Sequence, residues 1–212
     1  MYNVLVVDDQ KISRQLFESI ISASGRYRLA ASLPTAKIAD AWCAKGGVDL
    51  ILMDVVMNDG YNGLDAAARI KASYPGVKII VVTSMPDPLF LQRAREVGVD
   101  SFWYKEVQEE PVLRVMDRTM DGEHVWPDQP PTTVVGQAKS TEFTERELDV
   151  LRLLAEGFTD REIAEELHMS LPAVRYHVSN LIGKTGYSSR TELAVNAVRS
   201  GITLPGFTTG GI

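Results

Sequence analysis

The strongest constraint on this chain is an alternation, repeated five times between Tyr2 and about Gly122, of a short apolar run with a longer amphipathic segment. Strands that alternate with helices build a parallel sheet covered by helices, because each apolar face must be buried against the other kind of element. The strands expected are Asn3 to Val7, Tyr27 to Ala31, Leu50 to Met53, Lys78 to Val82 and Ser101 to Tyr104. The first helical segment carries Ile12, Leu16, Phe17, Ile20 and Ile21 at helical spacing, a stripe expected to pack on the sheet, and Gly25 ends it. The others are Thr35 to Ala44, Gly63 to Ser73, Pro88 to Val97 and Pro111 to Met120. Five such units make an α/β, doubly wound (βα)5 domain, and sheets of that kind hold their ligands at the carboxyl ends of the strands.

After Gly122 the pattern stops. Trp126-Pro-Asp-Gln-Pro-Pro-Thr-Thr and Gly136 to Ser140 have neither helical nor strand periodicity, so residues 123–141 read as a linker, stiffened where prolines cluster. Beyond it the sequence is helical throughout. Thr144-Glu-Arg-Glu147, Thr159-Asp-Arg-Glu162 and Ser189-Arg-Thr-Glu192 have the form of capping boxes, Ser170-Leu-Pro marks a fourth start, and Gly157, Gly186 and Gly201 are stops. Four short helices follow, with a tight connection at His168 to Ser170. The glycine- and threonine-rich end is expected to fray.

Apolar runs such as Val4 to Val7 and Ile79 to Val82 fall far short of the roughly 20 residues that span a bilayer. Asp8 and Asp9 come directly after one short strand, with no basic segment and apolar region ahead of them, so a cytoplasmic location is expected. The single cysteine, Cys43, lies among alanines of an expected helix and reads as a buried thiol. A net charge of −6 argues against indiscriminate nucleic-acid binding while allowing a local basic surface.

Chemistry gathers at the strand ends. Asp8 and Asp9 follow the first strand, Asp54 the third, Thr83 ends the fourth and Lys105 follows the fifth. In a parallel sheet these positions converge, and three carboxylates brought together repel unless a cation joins them. Oxygen ligands of this hardness suit Mg²⁺. A carboxylate such as Asp54 can attack phosphorus to form an acyl phosphate, with the metal and Lys105 neutralising charge. Taken singly, an Asp pair after a strand is an ordinary turn or cap, Lys105 a surface lysine and Thr83 a strand end; the joint placement carries the reading.

Val-Val-Asp8-Asp9, Leu-Met-Asp54-Val-Val-Met57, Val-Thr83-Ser84 and Asp-Ser-Phe102-Trp-Tyr-Lys105 resemble the receiver domains of two-component response regulators, over Tyr2 to about Gly122. The resemblance implies a flavodoxin-like fold, with Asp54 as acceptor of a phosphoryl group from a sensor histidine kinase. It implies Mg²⁺ bound by Asp9, Asp54 and the Val56 carbonyl with Asp8 assisting, Thr83, Ser84 and Lys105 at the phosphoryl group, and Thr83 and Phe102 as a switch pair; plain core packing is the other reading of Phe102. The chain departs from the family where Met57-Asn-Asp-Gly-Tyr-Asn-Gly63 lacks the usual Met-Pro, and where Glu106 rather than proline follows Lys105. Val56 and Met85 would flank the site with apolar side chains unable to position an attacking water, so a long-lived acyl phosphate is expected.

In the third C-terminal helix Val174, Val178, Leu181 and Ile182 form the expected buried stripe, leaving Pro172, Tyr176, Ser179 and Gly183 opposite. Residues 142–199 hold seven Lys/Arg against ten Asp/Glu, yet no acid falls between Glu166 and Glu192, where Arg175, Lys184 and Arg190 do. A helix after a tight turn with a positive flank suits the major groove; a small docking module is an equal reading of the same residues. The run from Phe143-Thr-Glu-Arg-Glu-Leu through Val174-Arg-Tyr-His-Val-Ser-Asn to Ser189-Arg-Thr-Glu resembles the LuxR-type helix-turn-helix, and the whole chain the NarL/FixJ family. That resemblance implies double-stranded DNA as partner, with base-edge contacts from Arg175, Tyr176 and Ser179 and phosphate contacts from Thr159, Lys184 and Ser189 or Arg190. Pro172 and Ala173 replace the lysine and threonine common there, so weak monomer binding, a shallow salt dependence and a homodimer on activation are expected.

The domains so expected are a receiver over residues 1–122, a linker over 123–141, an all-α four-helix helix-turn-helix domain over 142–204 and a flexible tail over 205–212. A Mg²⁺-dependent phosphatase using an aspartyl phosphate is a competing reading, but Val7-Asp-Asp-Gln does not supply the Asp-x-Asp nucleophile of that class. A regulator acting through protein contacts alone is the third.

Overall fold

The computed structural model describes residues 1–106 and 110–203; the expected tail lies outside the described residues. The chain forms two compact units, one of residues 1–84 and 88–130, the other of residues 131–212 with the segment 85–87.

In the first unit β1 (Tyr2–Val7), α1 (Lys11–Ala23), β2 (Tyr27–Leu33), α2 (Ala39–Ala44), β3 (Leu50–Met53), α3 (Gly63–Ser73), β4 (Lys78–Thr83), α4 (Pro88–Val97), β5 (Ser101–Tyr104) and α5 (Val112–Met120) follow in order. The strands form one parallel sheet in the order β2-β1-β3-β4-β5. From β1 the chain turns to β2 on one side and then to β3 on the other, so the crevice beyond the ends of β1 and β3 is the switch point of the sheet. β1, β3 and β4 are buried almost throughout, as central parallel strands with both faces covered must be, and the edge strand β5 is buried as well. Val4, Val6, Leu50, Leu52, Ile80, Val82 and Trp103 share a core with Phe17, Ile21, Val112, Val115 and Met116 of α1 and α5. The alternate residues, among them Val81, Thr83, Phe102 and Tyr104, turn to the opposite face.

Two local expectations differ from the structure. The apolar residues of α1 do not act as one stripe: Phe17 and Ile21 are buried on the sheet, whereas Ile12 is 83% and Leu16 52% exposed. Residues four apart stack on one line, and that line holds Phe17 and Ile21; Ile12 and Leu16 fall on the neighbouring ridge. The segment Thr35 to Ala44 is divided, with Thr35 capping a 3₁₀ turn over Ala36–Ile38 before α2 begins.

The second unit consists of β6 (Val134–Val135), β7 (Ala138–Lys139), α6 (Glu145–Ala155), α7 (Asp160–Glu166), α8 (Leu171–Thr185) and α9 (Arg190–Arg199). The starts lie where the capping residues stand. Thr144 and Thr159 each accept from the amide three residues on while Glu147 and Glu162 reach back to the cap amide. Ser170 and Ser189 cap α8 and α9, but the carboxylate of Glu192 bonds the amide and hydroxyl of Ser188 rather than the amide of Ser189. Gly186 ends α8 at φ 73°, a left-handed conformation that costs glycine little. His168 adopts φ 51° in the tight connection between α7 and α8.

A β-hairpin, β6-β7, lies within the stretch that reads as linker. Two-residue strands are too short to show a period. Val135 and Ala138 nonetheless join the helical core with Leu148, Leu151, Ile163, Val174, Leu181 and Leu193, and the Gln137 amide bonds the Thr185 carbonyl at 2.9 Å.

Candidate functional site

β1 and β3 deliver the acids. The Asp54 amide donates to the Val7 carbonyl at 2.8 Å and the Asp8 amide to the Leu33 carbonyl at 3.0 Å, so both residues continue the ladder just past the strand ends. Asp8 is wholly buried and Asp54 is 4% exposed, with Asp9 half-buried beside them. The carboxylates of Asp8, Asp9 and Asp54 lie with ligand atoms within 4.8 Å of one another. From the end of β5, Lys105 places its Nζ 2.6 Å from Asp8 Oδ2 and 2.6 Å from Asp54 Oδ2. Its amide holds the Thr83 carbonyl at 2.9 Å, which fixes the lysine to the end of β4. Thr83 is buried and Ser84 half-buried beyond it.

The electrostatics favour a further cation. Burial pushes the Asp54 carboxyl up to about 6, with Asp8 adding to the rise and Lys105 opposing it. For Lys105, burial alone would disfavour the ammonium, but attraction to Asp54 and hydrogen bonds to Asp54 and Asp8 raise its pKa above the ordinary lysine value. One ammonium faces three carboxylates. A divalent cation bound to oxygen ligands would remove that imbalance, and the donor set is of the hard kind that suits Mg²⁺.

Several residues that shape the site are silent in the sequence pattern. Arg14 donates to the carbonyls of Asp8 at 2.7 Å and Asp9 at 3.0 Å, clamping the turn after β1. The Asn58 amide donates to Asp9 Oδ2 at 2.7 Å, and the Val55 amide to Asp54 Oδ1 at 2.7 Å. Val56 bridges Asn62, which caps α3 through the Leu64 amide at 2.7 Å. Gly63 passes so close below this loop that its amide meets the Val55 carbonyl at 2.8 Å. Only its position between a loop and a helix hinted at it.

Phe102, 2% exposed, packs on Tyr104 with ring centroids 4.9 Å apart. It shares the sheet face of Thr83, two residues from it across the β4-β5 register.

In the second unit α8 presents the expected face. Val174, Val178 and Leu181 are buried, whereas Arg175, Tyr176, Ser179 and Gly183 are exposed, Tyr176 at 64%. The cations are disposed differently from their linear order. Lys184 turns inward, its Nζ 2.7 Å from Oε2 of the buried Glu147 and 2.8 Å from the Glu142 carbonyl. Arg190 bonds the Phe158 carbonyl at 2.8 Å and lies 3.6 Å from Asp160. Arg175, still exposed, has Asp160 3.7 Å away. Thr159 and Ser189 spend their hydroxyls on capping α7 and α9.

A doubly wound sheet with acids at its switch point and a lysine across from them, joined to a helical unit with a turn-linked exposed helix, defines a phosphorylation-type signalling receiver coupled to a regulatory output domain. Residues 4–117 match the response regulator receiver domain, and residues 141–197 match the luxR family of bacterial regulatory proteins. The chain belongs to the response-regulator family, with a LuxR-type output domain. It is 30% identical over 199 residues to the response regulator protein VraR of Staphylococcus aureus, covering 92% of this chain and 95% of that one. Among solved structures, RcsB in a structure described as two dimers bound to two parallel DNAs shares the fold at a TM-score of 0.62 and 19% identity, over 93% of this chain and 98% of that one. RcsB from Salmonella enterica serovar Typhimurium, bound to promoter rprA in the presence of phosphomimetic BeF3⁻, is similar at a TM-score of 0.60 and 18% identity, over 92% and 98% of the two chains.

Among the described residues no helix is long and apolar enough to cross a membrane.

Proposed function

We propose that this response regulator accepts a phosphoryl group on Asp54 from the phosphohistidine of a sensor kinase, and that the modified protein binds a specific double-stranded DNA site as a homodimer in the cytoplasm. It acts stoichiometrically, not as a turnover enzyme. The observation that carries the reading is the position of Asp54: a buried carboxylate bonded to Lys105 and flanked by Asp8 and Asp9 at the switch point of a parallel sheet.

An Asp54 carboxylate oxygen forms the new P–O bond while the P–N bond to the kinase imidazole breaks; the imidazole leaves with that electron pair and is protonated from solvent. The Lys105 ammonium, already between Asp8 and Asp54, neutralises charge on the transferring oxygens. The Thr83 hydroxyl turns to a phosphoryl oxygen and Phe102 follows into the space it leaves. Asp9, Asp54 and the Val56 carbonyl would hold Mg²⁺ with Asp8 assisting, and the ion would offset the negative charge of the phosphoryl group. The apolar side chains of Val56 and Met85 cannot position an attacking water, so the acyl phosphate is long-lived.

On DNA, Arg175, Tyr176 and Ser179 face the base edges, and Thr159, Ser189 and Arg190 lie near phosphates at the starts of α7 and α9. The RcsB structure described as two dimers bound to two parallel DNAs supports the dimeric reading. The test is to incubate the protein with a small acyl-phosphate donor and Mg²⁺, measure labelling, and footprint its own promoter region. The expected result is a labelled protein with a stronger footprint; an Asp54→Ala variant that still labels and still responds would overturn the proposal.

A further inference from the structure

The segment after α5 does not leave the first unit at Gly122. It runs along β5, the edge strand of the sheet, whose outward backbone groups would otherwise be open. The Phe102 amide donates to the Val125 carbonyl at 2.9 Å, the Val125 amide donates to the Ser101 hydroxyl at 3.0 Å, and the His124 ring lies 2.8 Å from the Asp100 carbonyl. Next in the chain, Trp126 stacks on Phe102 with centroids 6.1 Å apart and planes 28° apart. Arg95 of α4 stands 5.3 Å over the same indole. A backbone bond and a ring stack therefore meet on Phe102, which shares its sheet face with Thr83, while the cation–π contact falls on Trp126.

We propose that residues 123–126 form a strap that reads the position of Phe102, with Trp126 as the positioning residue that couples the phosphorylation site to the connection between the two units. This rests on the reading of Asp54 and Phe102 given above. With Asp54 unmodified, the Phe102 ring fills the place where Trp126 stacks, and the strap is held. When Thr83 turns to the phosphoryl group and Phe102 moves toward it, Trp126 loses its stacking partner. A stack of this kind contributes modestly, and its loss leaves the strap on the Phe102–Val125 backbone bond, the Val125 bond to the Ser101 hydroxyl, the His124 contact and the Arg95 cation–π contact, so that it opens more often. Glu123, bonded to Arg118 of α5, is the fixed end of the strap; release frees the three residues 124–126, and at ~3.4 Å per residue lengthens the connection by about 10 Å. The local concentration of one unit about the other changes accordingly. The strap thus converts a side-chain movement on the sheet into a change of tether length, without a direct path from the phosphate to the DNA face.

The experiment is hydrogen exchange on the full-length protein with Mg²⁺, with and without a small acyl-phosphate donor, alongside a mass measurement of labelling at Asp54. In labelled wild type, exchange in peptides covering Phe102 and Val125 is expected to speed up roughly tenfold while peptides from β1 and β3 stay protected. Trp126→Ala should exchange at the fast rate before any donor is added, and Trp126→Phe, which keeps a ring on Phe102, should restore slow exchange and the response to donor. Melting of both variants reports whether the unit remains folded. A labelled protein with unchanged exchange at Phe102 and Val125 overturns the strap while leaving the phosphoacceptor reading intact. Absence of labelling at Asp54 overturns that reading and the strap with it.

Discussion

Gly63 passes beneath Asp54 so closely that a β-carbon at residue 63 would lie 1.8 Å from the Asp54 carbonyl oxygen and 2.9 Å from its carbonyl carbon. The obstacle is backbone, which cannot rotate away as a side chain could. The glycine therefore lets α3 begin directly beneath the segment that carries Asp54, with its amide on the Val55 carbonyl. Gly63→Ala is expected to displace this loop, to lower stability by roughly 2–3 kcal/mol, and to reduce labelling by an acyl-phosphate donor more than it reduces folding. Thermal melting and labelling of the same preparation check it; normal labelling at wild-type stability would be the contrary result.

The Lys184 ammonium separates two roles for a cation in a helix-turn-helix. It lies against the buried carboxylate of Glu147, which also caps α6. Burial alone would raise the Glu147 carboxyl, but hydrogen bonds from Lys184 and the Thr144 amide hold it below the usual carboxylate range. Lys184→Met is expected to lower the stability of the helical unit by about 1–2 kcal/mol, the lysine being one-third exposed and so partly screened. The salt dependence of DNA binding should be unchanged. A salt slope reduced by about 1 with stability intact would mean that Lys184 contacts phosphate instead.

Asp160 lies near both cations nearest the exposed face of α8, Arg175 and Arg190. A carboxylate there opposes an incoming phosphate and competes for the two guanidinium groups. Asp160→Asn is expected to strengthen non-specific DNA binding several-fold and to steepen its salt slope by about 1. The cost is roughly 0.5 kcal/mol of stability, because an acid in the first turn of α7 is favoured by the helix dipole. Titration of a random duplex at several salt concentrations measures both effects.

Asp100 ties the amino-terminal end of the sheet together. It accepts from Lys71 at 2.6 Å, from Lys78 at 2.9 Å and from the Ile79 amide at 2.9 Å, while only 4% exposed. Burial acts to raise its pKa, and these three donors outweigh it, leaving the carboxyl below the ordinary value. A depressed folded-state pKa gives stability that is present above the unfolded value near ~3.9 and is lost as the pH falls through the folded value. Asp100→Asn should therefore destabilise the first unit by roughly 2–3 kcal/mol at neutral pH and flatten the acid limb of its stability curve. Equal acid sensitivity in the two proteins would count against this account.

How far the fold could be read in advance follows from the range of the interactions involved. Thr144, Thr159, Ser170 and Ser189 cap helices through amides three residues away, so a local pattern is enough to place each start. The acids are legible for a related reason: in a parallel sheet every strand ends at the same edge, so Asp8, Asp9, Asp54 and Lys105 converge whatever the details of packing. Phe17 and Ile21 against Ile12 and Leu16 show the limit. All four satisfy the helical period, and only the angle at which α1 lies on the sheet selects the buried pair.

By its sequence alone the chain determined its alternation of strands and helices, the helix starts in its second half, and the gathering of an acidic trio with a lysine, since each depends on neighbours in the chain or on a rule common to all parallel sheets. Tertiary structure decided the rest. It turned Lys184 toward Glu147 and set Asp160 beside Arg175 and Arg190, so that cations segregated along the chain are partly neutralised in space. It laid Trp126 on Phe102 and brought the hairpin of β6 and β7 into the helical core. The charge and ring partners lie 15 to 37 residues apart, and contacts at that separation are set by the shape into which the backbone has folded, which no local pattern records.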